Sequence, residues 1–277
     1  MEGEEVCVHV VSRVVQKRHL VEETGMVEMR RILRSQAVFA GLEVITFCFL
    51  ANHFHLLLRL DPKTARDEVD DAELVRRFRV LYGTKRSPSL GVDAVVLERV
   101  LARGGERAEE VRTKMKARMG DISVFTKEFK TRFTFWHNAR YNTVGTFWAE
   151  RFRSVILEPG SPALWAVAAY IDLNPVRAGL VSEPQDYRFC GFGEVEKDRA
   201  DALKRYVWLE VRRGRKRRIR GDDAILTAYA ARLKRMCASG TDRSSPTADS
   251  DAVQEPQAAY GAEPLLTFRH INAAWLI

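Results

Sequence analysis

Cysteine is scarce, with four residues in a chain of 277: Cys7, Cys48, Cys190 and Cys237. They lie far apart and form no C-x-x-C pair, which argues against a zinc knuckle or a thiol redox motif. A reduced, cytoplasmic setting is the default expectation for such usage. Long apolar runs are also missing. No stretch approaches the roughly 20 residues that a membrane-spanning helix needs. The N-terminal MEGEEVCVHVVSR carries acids where a signal peptide needs positive charge, so neither secretion nor membrane insertion is expected. No internal repeat is present.

What is there suits one large globular domain or two small ones: 46% hydrophobic and 30% charged residues. The net charge of +8 favours a polyanionic partner, chiefly nucleic acid. Mild basicity also occurs without one, so charge alone leaves this open.

The pattern along the chain predicts an α+β fold. VCVHVV at 6–11 reads as a strand. Residues 26–40 place Met26, Met29, Ile32, Leu33 and Ala37 at helical spacing, with Gly41 as C-cap. Strands at 43–50 and 53–60 follow, separated by Ala51 and Asn52, a hairpin spacing. This β-α-β-β order fits a ferredoxin-like plait with an antiparallel sheet. A strand at 151–158 and a helix at 161–174 would complete it. Ser161 caps that helix, Pro162 suits its first turn and Pro175 ends it.

The intervening charged stretch reads as largely helical, with a break at Gly104–Gly105. It is expected to be a large helical insertion over about 61–135 within a domain of 1–193. Beyond 194 comes an expected basic helical extension to 237. It contains RRGRKRRIR at 212–220, seven basic residues in nine, and a helix from 222. The run suits phosphate contact with little sequence information, or a solvated charged face. The Ser-, Ala-, Asp- and Pro-rich tail of 238–277 is expected to be disordered.

Several side chains could carry chemistry. His53 and His55 flank Phe54 on a strand, so both imidazoles share one face and can present two nitrogens to a metal ion. An arbitrary H-x-H is more often two polar residues on a sheet face. Tyr170 and Asn174 are one helical turn apart and also share a face. The tyrosine can act as an oxygen nucleophile and the asparagine can offer its carbonyl oxygen to a metal or phosphate. Equally, an isolated pair of this kind can be a half-buried tyrosine and a helix cap. RYNTVGTFWAERFR at 140–153 interleaves Arg140, Arg151 and Arg153 with aromatics. That composition suits phosphates and unpaired bases, or a loop whose aromatics enter the core.

Taken in order, these segments resemble a known family. LANHFHLLLRL resembles the H-U-H strand of the tyrosine transposases that move single-stranded DNA, with Phe54 as the bulky U. GTFWAERFRS, AYIDLNPVRAGLV, PQDYRFCGF and VHVVSR resemble four further segments of the REP-associated branch. The likeness runs from about residue 6 to 192. It departs at Phe147, at Ala149–Glu150 and at Phe189–Cys190–Gly191.

The resemblance implies a single-strand DNA transposase or nuclease acting at hairpin-bearing, REP-like palindromes. Tyr170 would be the catalytic nucleophile on the helix that follows the central HUH strand. His53, His55 and Asn174 would hold one Mg2+ or Mn2+. Arg13, Arg140, Arg151, Arg153 and Arg177 are candidate phosphate contacts. Trp148 is a candidate for base stacking or for the core. The chain would act as a monomer or a homodimer. The alternatives are a non-cleaving DNA-binding protein on the same fold, and a structural zinc protein using H-x-H.

Overall fold

The computed structural model describes residues 4–15, 21–195, 199–212 and 222–240. The tail from 241 and the basic residues 213–220 lie outside them. Four strands, β1 (Val6–Arg13), β2 (Leu42–Phe49), β3 (His53–Leu60) and β4 (Arg153–Leu157), form one antiparallel sheet in the order β2-β3-β1-β4. That order is the one a ferredoxin-like plait requires. The helices are α1 (Glu23–Ala40), α2 (Asp71–Tyr82), α3 (Ala94–Arg103), α4 (Glu106–Lys116), α5 (Ile122–Tyr141), α6 (Pro162–Arg177), α7 (Arg199–Arg212) and α8 (Asp222–Gly240). None of the described helices is long and apolar enough to cross a membrane.

Alternation along the strands sends opposite sets of side chains to the two faces. Val8, Val10, Phe54, Leu56 and Leu58 meet α1 and α5, while Cys7, Leu57 and Leu157 meet α6. α1 starts one turn earlier than its apolar pattern suggests and ends as expected, with Gly41 in the left-handed region (φ 69°). The hairpin closes with Leu50 N–H donating to His53 O at 2.9 Å.

Two expectations need correction. The helix after β4 does not complete the plait. α5, which precedes β4, packs on α1 and drives Phe125, Phe129 and Phe133 into the same core. α6 covers the opposite face, so the sheet is buried on both sides. Nor does Pro175 end α6, which runs to Arg177. A proline this close to the C-terminus removes one hydrogen bond from a helix that continues only two residues further.

α2, α3 and α4 build a core of their own around Leu74, Phe78, Leu97, Leu101, Val111 and Met115, joined to α1 through Phe39. α7 and α8 pack against α6, where Tyr206, Leu209, Tyr229 and Leu233 join its core. The edge of β2 is covered by the chain at 189–191: Phe49 N–H donates to Phe189 O at 2.9 Å and Gly191 N–H to Phe47 O at 2.8 Å.

Candidate active site

The central strand β3 carries His53 and His55 onto the α6 face, as the two-residue spacing requires. Both are buried, at 8% and 1% exposure. Their rings stand edge to face with centroids 5.0 Å apart. The Tyr170 ring meets His55 edge to face at 5.6 Å. Residues 115 apart in the chain therefore share one buried cluster, because α6 packs across β2 and β3. Asn174 follows one turn later on α6, buried, with its amide nitrogen lacking a hydrogen-bond partner. The exposed Arg177 sets its guanidinium 5.0 Å from the centre of the Tyr170 ring.

Each histidine is oriented through Nδ1. His53 Nδ1 meets Asn52 Oδ1 at 2.6 Å, and His55 Nδ1 meets His9 Nε2 at 3.0 Å. His9 was not anticipated as part of the site. It lies on β1, stacked on His55 at 5.3 Å, and burial pushes its pKa down to about 4. Burial also holds His55 well below the usual histidine range, reinforced by the neighbouring His9, His53 and Arg13. Neutral imidazole is the form a metal ion binds.

The donor chemistry suits a hard or borderline divalent cation. His55 Nε2 is buried without a hydrogen-bond partner, and the Asn174 amide supplies an oxygen on the same side of α6 as Tyr170. No group of three or more His, Cys, Asp or Glu side chains placed to hold a metal occurs among the described residues. A cation would rest on two imidazoles and an amide, with its remaining positions open to phosphate or water.

Arg13, Arg151 and Arg153 line one narrow cleft with Val11, Ser12 and Glu150. Local geometry builds it. Val11 pairs with Arg153, while Ala149 N–H donates to Arg13 O at 3.0 Å, so 150–152 bow out against Ser12 alone. Arg13 itself pairs in register with His53, which puts this basic cleft beside the histidines. Arg153 is partly engaged by Glu150 at 3.3 Å.

Arg140 is exposed at the end of α5, over Trp136 and Tyr141, and not in the cluster. Trp148 belongs to the core, one of the two places its sequence context allowed. It packs edge-on to Phe54 at 5.3 Å, and its indole N–H donates to Lys130 O at 3.1 Å.

Asp172, on α6 between Tyr170 and Asn174, was not singled out from the sequence. It is fully buried and accepts four hydrogen bonds: from Thr46 Oγ1 at 2.5 Å, Phe192 N–H at 3.3 Å, Tyr206 Oη at 3.0 Å and Tyr229 Oη at 2.7 Å. Burial pushes its carboxyl up to about 6, against the pull of these four donors. A lone acid in an otherwise apolar helix was the available signal.

No family model matches the chain, and no curated protein matches it. Among solved structures, it is similar to a REP-associated tyrosine transposase bound to a REP hairpin. The TM-score is 0.43 and the identity 16%, over 72% of this chain and 81% of the other.

Proposed function

We propose that this protein cleaves and rejoins single-stranded DNA at hairpin-bearing sites, with Tyr170 as nucleophile. The observation that carries the reading is the buried cluster in which Tyr170 stands edge-on to His55 at 5.6 Å, beside His53. A tyrosine, two imidazoles and an asparagine amide are the groups that metal-assisted phosphodiester transfer asks for.

His53, His55 and Asn174 would hold one Mg2+ or Mn2+, through Nε2 of each ring and the amide oxygen. When bound, the ion would polarise a non-bridging phosphate oxygen. Tyr170 Oη attacks phosphorus and forms a 5′-phosphotyrosine, while the P–O3′ bond breaks and the departing oxygen leaves as a free 3′-hydroxyl. A second 3′-hydroxyl reverses the step, so strands are rejoined without an external energy source. Arg13, Arg151 and Arg153 grip phosphates beside the histidines, and the exposed Arg177 reaches the strand at the tyrosine. Arg140 serves the strand farther out, where aromatics accompany it.

The test incubates the full chain with a labelled hairpin-bearing single strand and Mn2+. An SDS-resistant adduct is expected, and Tyr170→Phe abolishes it. An adduct that persists in that variant overturns the assignment of the nucleophile.

A further inference from the structure

α6 is buried nearly all round. Leu164, Trp165, Val167, Ala168, Ala169, Tyr170, Ile171 and Leu173 all contribute to one apolar core. The hydrophobic effect is non-directional, and small residues such as Ala168 and Ala169 add little shape with which to resist rotation or sliding. Polar contacts add direction, and among the described residues two sets of them hold α6. Trp165 Nε1 donates to Glu210 Oε1 on α7 at 2.8 Å, and Glu210 also receives Arg232 of α8 at 3.1 Å. Seven residues on, Asp172 receives its four bonds from β2, from the segment at 192, from α7 and from α8.

The surrounding chain is shaped to deliver those donors. A register shift between Val44 and Thr46 lets Thr46 face α6 rather than α1. Gly191 is the residue that lets Phe192 approach, since a Cβ there would fall 2.2 Å from Thr46 Oγ1. A buried carboxylate is costly unless fully bonded, and here four donors meet it. Nothing in the cleavage chemistry requires Asp172.

We propose that Asp172 is a positioning residue for Tyr170, and that α7 and α8 form a brace which sets the rotation of α6 through it. The inference rests on the reading of Tyr170 as nucleophile. Asp172 and Tyr170 lie about 200° apart around the helix, at 100° per residue. A lock on one therefore fixes the aim of the other. Rotating a helix by about 10° carries a side-chain atom about 6 Å from its axis through about 1 Å. A misplacement of about 1 Å can cost on the order of 100-fold in rate. The edge-on placement of Tyr170 against His55 is the geometry so protected.

The test places 3-fluorotyrosine at position 170 of the full chain and compares wild type with Asp172→Asn, Tyr229→Phe and the Tyr206→Phe/Tyr229→Phe pair. The fluorine resonance should shift or broaden in the variants while circular dichroism stays unchanged. The rate of adduct formation should fall by about tenfold to 100-fold, with hairpin Kd held within about twofold. Tyr229→Phe removes one hydroxyl and keeps the test decisive where Asp172→Asn does not fold. An unchanged resonance and rate in folded variants overturns the proposal, as does a loss of hairpin affinity that matches the loss of rate. A shifted resonance in a chain whose wild type forms no adduct would sink the cleavage reading and leave the positioning of Tyr170 standing.

Discussion

His9 Nε2 lies 3.0 Å from His55 Nδ1, within a buried stack of the two rings. The pairing engages Nδ1 of His55, leaves Nε2 as its other ring nitrogen and fixes the ring. Partners of this kind tune a ligand without touching the metal. His9→Ala is expected to weaken Mn2+ binding by roughly 10–100-fold, with the sheet intact. Titration of Mn2+ followed by electron paramagnetic resonance checks this. Unchanged affinity would remove His9 from the site.

Trp148 and Arg151 stand close in the chain and are expected to separate cleanly. Trp148 is packed among Phe54, Phe133 and Phe147. Trp148→Ala should cost about 3–5 kcal/mol of stability, read as a lowered unfolding midpoint. Arg151 is exposed in the basic cleft. Arg151→Ala should leave the midpoint alone and lower the slope of log K against log salt by about 0.7–0.9, one phosphate contact. An unchanged slope would remove Arg151 from the DNA surface.

How far the sequence reaches depends on whether a contact is local. His53 and His55 share a face by strand period, and Tyr170 and Asn174 by helical period, so both pairs were legible. What brings the pairs together is the packing of α6 on the far face of the sheet, which no local pattern encodes. His9 is invisible for the same reason, since only the β1–β3 pairing sets it against His55. The exchange of roles between α5 and α6 was hidden because Phe125, Phe129 and Phe133 sit in a charged stretch, while α6 is apolar on all sides and shows no preferred face.

Gly193 holds the turn that returns the chain towards α6. A Cβ there would fall 1.9 Å from Tyr187 O, a backbone atom that cannot swing aside. Gly193→Ala should therefore force 187–193 away from the β2 edge, costing about 1–3 kcal/mol. Hydrogen exchange should show faster loss of protection at Phe49 and Gly191, whose amides hold that edge closed. Retained protection at both would show that the turn relaxes without releasing the edge.

The α2–α4 unit carries a pH dependence of its own. Glu73 accepts hydrogen bonds from Arg76 at 2.6 and 2.7 Å and from Arg77 at 2.7 Å. The Arg76 contact, then that of Arg77, pulls its carboxyl down to about 2. Because the native state binds this proton less readily than the unfolded chain, the contribution is complete above about pH 4.5, the unperturbed range of a glutamate. It is lost as pH falls through about 2. Urea unfolding of wild type and Glu73→Gln across pH 2–6 should show midpoints that differ at the upper end and converge at the lower. Curves separated by the same gap throughout would show that the Glu73 carboxylate charge does not stabilise this unit.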